Sequence, residues 1–284
     1  MKLFKRKQKT DVKRRFVYLN LIIGCVFIGI LVLAAVFADI AAPFAFDDAD
    51  ISRRMLPPNG EHLMGTDVYG RDIFSRILSG SRIALRVALT CVCIEMLLGI
   101  TFGLLCGYFG GWVDRILGFI MDITWAIPSL IAAFAIVCII GKSLMNAMIA
   151  ISLVGWAGYA RVIRAKTMSL KNAAFIETGI AFGESVPAIL GRYVLPNIVP
   201  ALVVIASQSI PGVIMATTSL SFLGLGAQSP SPDWGLMISD GLMRITAAPW
   251  MVLYPGLALI FTTFGFTMLG EGMRDILDPR MKSV

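Results

Sequence analysis

The stretch VYLNLIIGCVFIGILVLAAVFA, residues 17–38, decides what kind of fold this chain adopts. It carries no charged side chain, and about 20 apolar residues are enough for a helix to cross the hydrocarbon core of a bilayer. The preceding stretch MKLFKRKQKTDVKRRF, residues 1–16, has eight Lys or Arg residues among its first fifteen. The apolar stretch exceeds the roughly 7–15-residue core of a cleavable signal peptide. We therefore expect a retained membrane-spanning helix that follows a cytoplasmic basic tail.

Five further apolar stretches follow along the 284-residue chain, at residues 83–108, 113–140, 144–160, 198–222 and 250–270. The composition agrees with a membrane protein, because 57% of the residues are hydrophobic and only 15% are charged. A typical soluble domain has about 25% charged residues. The sequence predicts an all-α, polytopic membrane protein with about six spanning helices. Residues 17–280 form one membrane domain, which a short tail at 281–284 follows.

The positions of Lys and Arg indicate how the chain crosses the membrane. With the basic tail inside, six spans leave the loop 39–82 outside and return the segment 161–196 and the C-terminus to the inside. Basic residues are in excess on the predicted inner side, as the positive-inside rule requires. This topology accounts for the net charge of +7, so we expect a lipid bilayer and no nucleic acid as partner. We predict a location in the plasma membrane, with both termini cytoplasmic.

The outer loop leads into the second span. The turn at Gly65–Asp67 is typical of a helix N-cap, and Asp72 and Arg76 have the spacing of a helical ion pair. The apolar residues that follow share one helical face, namely Ile73, Phe74, Ile77 and Leu78. An amphipathic helix in the membrane interface and a simple entry turn explain them equally well. His62 is interpreted as an ordinary loop residue without a partner.

A few polar residues lie within the predicted spans. Glu95 and Asp122 are candidates for function, since ionisable groups are costly at membrane depth. Pro128 follows Asp122 and would kink the third span. Gln208 and Ser209 lie in the fifth span. These polar residues either line a pathway or join neighbouring helices by hydrogen bonds, and the sequence leaves both interpretations open.

The segment FIETGIAFGESVPAILGRYVLPN, residues 175–197, interrupts the apolar pattern with charges, glycines and prolines. Apolar residues in a helical rhythm end at Gly183, which has the position of a helix C-cap. A second short helix follows, with Pro187 in its first turn, where proline is tolerated, and Pro196 ending it. The pattern predicts a helix–turn–helix that lies across the inner face as a docking surface. The alternative is a solvated loop.

These residues resemble the cytoplasmic signature of permeases in ATP-binding-cassette importers. That signature reads EAA, three residues, Gly, nine residues, Ile, one residue and Leu-Pro. The spacing matches throughout, whereas Thr178, Gly179 and Tyr193 replace the two alanines and the isoleucine. The positions that align with the signature, including these three replacements, are Glu177, Thr178, Gly179, Gly183, Tyr193, Leu195 and Pro196. Stretches at 65–85, 219–241, 248–259 and 269–280 are similar to the C-type permease of the dipeptide, oligopeptide and nickel importers.

The resemblance implies a type I ABC importer permease fold and a set of partners in a bacterial inner membrane. These are a second, similar permease, two ATPase subunits that use ATP and Mg²⁺, and an extracytoplasmic binding protein. This chain would bind no cofactor or metal and would not be an enzyme, and no phosphate-binding loop motif occurs in it. Residues 161–196 would contain the cytoplasmic coupling helices, and the helices at 175–196 would move with the ATPases. Trp234, Asp67 and Arg71 are candidate contacts for the binding protein.

The cargo and two rival functions stay open at this point. Peptides are favoured as cargo over nickel or another small solute, because one histidine and scattered cysteines predict no nickel site. Asp47, Asp48 and Asp50 are compatible with an intramembrane metal-dependent transferase, but no second acidic cluster accompanies them. A stand-alone channel or secondary carrier is the other rival, and it leaves the inner signature unexplained.

Overall fold

The computed structural model describes residues 2–277, with side chains from Tyr18 onward. The side chains of the predicted basic tail and the whole predicted tail at 281–284 lie outside the described residues. The described residues form helices and connecting loops, with one isolated β-bridge and no β-strand among them, in agreement with the predicted all-α class. Its helices are α1 Lys2–Val36, α2 Ala38–Ala41, α3 Ile73–Phe109, α4 Gly111–Ala126, α5 Ser129–Ile140, α6 Leu144–Leu170, α7 Ala174–Ala181, α8 Val186–Ile189, α9 Leu195–Phe222, α10 Trp234–Leu242 and α11 Trp250–Leu277.

Five helical stretches are long and apolar enough to cross a membrane, and α4 with α5 forms a sixth if the pair counts as one broken span. The five are Tyr18–Val36, Ile73–Phe109, Leu144–Leu170, Val186–Phe222 and Trp250–Leu277. Each lies where the sequence predicts a span. The helices extend further than the apolar patterns do, because α3 begins ten residues before the predicted span and α6 continues through Leu170.

The third predicted span, 113–140, is broken at Pro128, where the sequence predicts a kink. Helices α4 and α5 meet at an angle of 95°, with Ile127 in an extended conformation before Pro128. Proline disfavours a helical conformation in the residue before it and supplies no N–H group. At 16 and 12 residues, both halves are shorter than the roughly 20 residues that cross a bilayer.

Helices α3 and α6 pack closely along a row of glycines. Gly99, Gly103 and Gly107 recur every four residues and face Tyr159–Thr167 of α6. A Cβ atom at these glycines would lie 2.4–2.7 Å from atoms of α6, so only glycine permits the observed approach. Close packing at small residues is a main source of helix association in membranes.

The helices also fix which ends of the molecule lie together. Helix α3 is about 55 Å long at 1.5 Å per residue, starting at Ile73 and ending at Phe109. Its final turns contact the last turns of α6, because Gly107 faces Arg164 and Thr167. Helix α6 leads directly into α7. The segment 174–196 therefore lies at the end of the helix bundle opposite to Ile73.

Candidate functional site

Helix α7 and the turn after it are built as the sequence predicts. Gly183 has a φ of +76°, a left-handed conformation that favours glycine. Its N–H donates to the Ile180 carbonyl at 2.9 Å, and the Glu184 N–H donates to the Gly179 carbonyl at 3.0 Å. These two bonds form a Schellman motif, which ends a helix and satisfies its last carbonyl groups.

Apolar side chains anchor the 174–196 segment to the spanning helices. Ile176, Ile189 and Val194 are fully buried in one cluster with Tyr159 and Ile163 of α6. Ile198 and Leu202 of α9 belong to the same cluster. Because cores pack tightly and resist deformation, a displacement of α7 is transmitted to both α6 and α9.

The opposite side of the segment is exposed. Glu177, Thr178 and Gly183 are all accessible to solvent, and Phe182 beside the glycine is 84% exposed. A Cβ atom on Gly183 would meet nothing within 4 Å. The segment thus presents an acidic residue, a protruding aromatic ring and a bare glycine backbone. The sequence analysis did not identify Phe182 as a candidate contact residue. Its position next to a C-cap glycine could have indicated an exposed aromatic side chain.

Gly179 and Tyr193, two of the departures from the permease signature, lie against each other. Gly179 is buried, and a Cβ atom on it would approach Cε2 of Tyr193 to 3.4 Å. The Tyr193 hydroxyl donates a 2.8 Å hydrogen bond to Glu184. A Cβ atom at 179 would thus be in van der Waals contact with the Tyr193 ring, and a larger side chain would press on it. Thr178, the third departure, donates its hydroxyl to the Ala174 carbonyl.

Leu195 and Pro196 do not end a helix, and this part of the prediction is wrong. A π-helical turn at Leu190–Val194 joins α8 to α9, so the second short helix continues into the span. The Leu195 N–H donates to the Leu190 carbonyl, one residue further back than in an α-helix. Pro196 lies in the first turn of α9, a position that needs no N–H donor.

The other end of the bundle holds an ion-pair network of Asp67, Arg71, Arg76 and Asp240. Arg71 Nε lies 2.6 Å from Asp67 Oδ2, and Arg71 Nη2 lies 3.7 Å from Asp240 Oδ2. Arg76 is 0% exposed and donates to the carbonyls of Phe46, Pro230 and Ser231 at 2.8–3.1 Å. Burial raises the pKa of the Asp240 carboxyl, against the effect of the neighbouring Arg71.

His62 and Asp72 join this end of the molecule in a way that the sequence analysis missed. His62 is buried, and its Nδ1 lies 3.0 Å from Asp72 Oδ1, so it is a partnered core residue. Asp72 caps α3 by accepting from the Ser75 N–H, five residues after the turn predicted at Gly65–Asp67. The predicted Asp72–Arg76 pair is absent among the described ion pairs. The apolar residues at 73–78 form the first part of α3. This favours the interpretation that they lead directly into the second span over a separate helix in the membrane interface.

The three candidate contacts for a binding protein are all buried. Trp234, Asp67 and Arg71 are 4%, 5% and 2% exposed, and the indole of Trp234 donates to the Ile77 carbonyl at 3.3 Å. In this structure they hold the two long loops together, so the interpretation of these side chains is revised. Exposed apolar side chains at the same end are Leu63, Tyr69, Met243 and Ile245.

A cavity of about 510 Å³ lies where α3, α6 and α9 meet the bend between α4 and α5. Glu95 and Ser209 line it, whereas Asp122 and Gln208 do not. Asp122 forms an exposed 2.7 Å ion pair with Arg161, and Gln208 is exposed elsewhere on α9. Of the four polar residues singled out within the predicted spans, the structure thus brings only Glu95 and Ser209 together at this cavity. Sequence periodicity could not find the cavity, because the bend at Pro128 forms one of its walls.

The aspartates at 47–50 do not form a metal site within the described residues. Asp50 caps the 3-10 helix Ile51–Arg53. The Ser52 hydroxyl and Arg53 hydrogen-bond to its carboxylate and lower its pKa to about 2. No group of three or more His, Cys, Asp or Glu side chains in the described part of the chain could hold a metal ion. Asp50, one of the three aspartates that suggested a transferase, has a local structural role.

A model of the family described as the inner membrane component of binding-protein-dependent transport systems matches residues 99–283. The chain belongs to this family. The match begins within α3 and includes the 174–196 segment and most residues that line the cavity. The chain is therefore a multi-pass membrane protein of a transporter family, as the resemblance implied.

Relatives of this inner membrane component match almost the whole chain. The dipeptide transport system permease protein of Alkalihalophilus pseudofirmus is 41% identical over 262 residues, which cover 92% of this chain and 86% of that protein. The glutathione transport system permease protein of Pectobacterium atrosepticum is 38% identical, with 95% and 90% covered. The oligopeptide transport system permease protein of Bacillus subtilis is 33% identical, with 92% and 85% covered.

Proposed function

We propose that this chain is the permease subunit of an ATP-driven importer of di- and oligopeptides. With a second, similar permease it forms the translocation pathway in a bacterial inner membrane, with both termini in the cytoplasm. The observation that supports this most directly is the similarity along nearly the whole chain to permeases named for dipeptides, glutathione and oligopeptides. These cargoes share a peptide backbone and differ in length. We therefore assign peptides as a class to this importer, and not one particular peptide.

The 174–196 segment is the proposed contact with two cytoplasmic ATPase subunits. Its exposed side offers Glu177, Phe182 and the bare backbone of Gly183, while its other side is held in the apolar cluster with α6 and α9. A protruding aromatic ring beside exposed backbone suits insertion into a groove, since buried aromatic anchors dominate many interfaces. ATP and Mg²⁺ act in the ATPases, and this chain binds no cofactor itself.

Transport follows from rigid transmission between the segment and the cavity. Closure of the ATPases displaces α7, and α9 carries that displacement because it is continuous with α8 through the π-helical turn. Helices α6 and α9 are also joined inside the cavity by a hydrogen bond between Tyr159 and Ser209. Such helix shifts alternate the side from which the pathway is open.

The opposite end of the chain is the proposed docking surface for an extracytoplasmic binding protein. The ion-pair network keeps the two long loops in one arrangement, and exposed Leu63, Tyr69 and Met243 surround it. A fixed surface with apolar side chains at its rim suits a partner that docks and leaves repeatedly, because little ordering entropy is lost on each encounter.

Uptake of labelled cargo tests this proposal. The chain is produced with its partner subunits in a strain that lacks its own peptide and nickel importers. We expect ATP-dependent uptake of di- or oligopeptides and no uptake of nickel above the strain without the permease. Nickel uptake without peptide uptake would overturn the peptide assignment, and uptake without the ATPase subunits would indicate a carrier.

A further inference from the structure

The membrane cavity has one acidic group and no basic group among its lining residues. Glu95 of α3 is the only carboxylate there, and the other polar side chains are Ser129, Tyr159, Ser209 and the indole of Trp125. The remaining walls are aliphatic or glycine. At about 510 Å³, the cavity falls within the roughly 300–1,000 Å³ typical of small-ligand sites.

The carboxylate of Glu95 has no partner among the described residues. Glu95 as a whole is 2% exposed. Its carboxylate oxygens are nevertheless not fully enclosed, so they open toward the cavity. Two of the three hydroxyl groups in the lining, those of Tyr159 and Ser209, are already engaged. Ser209 donates to the Ala206 carbonyl, and the Tyr159 hydroxyl therefore donates to Ser209. A buried carboxylate without a partner is costly.

Gly155 of α6 makes room for this side chain. A Cβ atom at position 155 would lie 2.0 Å from Glu95 Oε1, so the carboxylate rests directly on the α6 backbone. A side chain at 155 would have to displace it. The close fit holds the charge at one place on the cavity wall.

The chemistry of the wall selects one kind of ligand. A divalent metal such as Ca²⁺ takes about 6–8 oxygen ligands, and the one carboxylate and three hydroxyl groups of the lining do not supply them. A proton relay uses a chain of titratable acids or histidines, and the described lining holds a single carboxylate. An organic cation needs only one carboxylate, with apolar walls for the rest of the molecule.

We propose that Glu95 binds the primary ammonium group of the cargo, the amino terminus of a peptide, during passage through the cavity. The ion pair forms between the carboxylate and the –NH₃⁺ group, and the aliphatic walls contact the first side chain. The ammonium part of this proposal rests on the cavity alone, whereas the peptide part rests on the proposed function.

The first experiment measures the charge preference of the cavity without any cargo. Ser129→Cys places a thiol on the cavity wall of the complete importer, after the exposed Cys25, Cys93 and Cys138 are replaced by serine. Cationic ethylammonium and anionic ethylsulfonate methanethiosulfonates are compared by labelling rate. We expect the cationic reagent to be favoured, and Glu95→Gln to lower the ratio of the two rates by about tenfold, since an unscreened charge acts strongly at low dielectric constant.

Two further variants control this measurement. Glu95→Asp keeps the charge and should keep most of the preference. Met243→Cys carries its thiol at an 88% exposed position outside the cavity, where Glu95→Gln should leave the ratio unchanged. If the ratio for Ser129→Cys is the same with and without the Glu95→Gln substitution, the ammonium site is overturned.

The second experiment separates this inference from the peptide assignment. Uptake of a free peptide is compared with uptake of the same peptide acetylated at its amino terminus. Glu95→Gln should reduce uptake of the free peptide about tenfold and so narrow its advantage over the acetylated one. An equal effect of the substitution on both peptides would overturn the contact with the amino terminus. If the unsubstituted importer takes up no peptide, the proposed cargo fails, while the labelling ratio still decides the charge preference.

Discussion

The two ends of the helix bundle use charged and aromatic side chains in opposite ways. At the loop end, Arg76 is fully buried and binds three backbone carbonyls, and Trp234 is buried against α3. At the 174–196 end, Glu177 is exposed and Phe182 is 84% exposed. The loop end buries its charged network and Trp234 within one chain, whereas the 174–196 end presents Glu177 and Phe182 to solvent.

This difference predicts how substitutions act at the two ends. A buried guanidinium that satisfies several acceptors contributes to folding, because its removal leaves those acceptors unpaired. An exposed aromatic ring adds little to folding and acts through a partner. Three substitutions test the contrast, in order of their expected loss in free energy of unfolding.

Arg76→Ala should have the largest effect on folding. It leaves three carbonyl groups without a partner and removes one of the two arginines beside Asp67, which keeps its ion pair with Arg71. Breaking a buried ion pair costs about 3–5 kcal/mol. Unfolding of the purified protein in sodium dodecyl sulfate measures the loss. Arg244→Ala, at an exposed position near the same end, is the control and should change stability by at most about 0.5 kcal/mol. Equal effects of the two substitutions would contradict a structural role for the network.

Gly179→Val should have an intermediate effect, which Tyr193→Ile should relieve. The added methyl groups press on the Tyr193 ring, which a Cβ atom alone already approaches to 3.4 Å, and overpacking costs about 1–3 kcal/mol. In a double-mutant cycle the pair should lose less stability than the sum of the single changes. Gly191→Val, where nothing lies within 4 Å of a Cβ atom, is the matched control. Strictly additive effects would contradict direct packing between positions 179 and 193.

Phe182→Ala should have the smallest effect on folding and a large effect on transport. The exposed ring contributes at most about 0.5 kcal/mol to stability, while loss of an interface anchor of about 2 kcal/mol would reduce ATP-coupled uptake about thirtyfold. Phe37→Ala removes a ring that is 49% exposed near the loop end of α1 and should leave uptake unchanged. Similar uptake by both variants would show that Phe182 makes no contact important for coupling.

Sequence patterns located the spanning helices because long apolar stretches report directly on burial in lipid. They also located the end of α7, since Gly183 has the position of a C-cap glycine and has the left-handed φ expected there. These features depend on residues close together in the chain.

Features that depend on distant residues were missed. The partner of His62 comes from the start of α3, and the carbonyls that bind Arg76 come from loops up to 155 residues away. Pro128 predicted a kink, but the cavity beside the 95° bend could not be predicted locally, because its walls also come from α3, α6 and α9. The prediction that Pro196 ends a helix was wrong because the π-helical turn before it could not be recognised from the sequence.

Gly183→Trp tests the coupling of this chain to its ATPases most directly. The indole would extend from the exposed turn after α7, where a Cβ atom meets nothing within 4 Å, so it obstructs a partner and no group of this chain. Gly111→Trp is the matched control, because Gly111 is also exposed, also has a positive φ and also has no neighbour within 4 Å of a Cβ atom. ATP-driven peptide uptake is measured in membrane vesicles that contain equal amounts of each variant. We predict that Gly183→Trp abolishes uptake and that Gly111→Trp retains it, whereas normal uptake by Gly183→Trp would contradict the proposed docking surface.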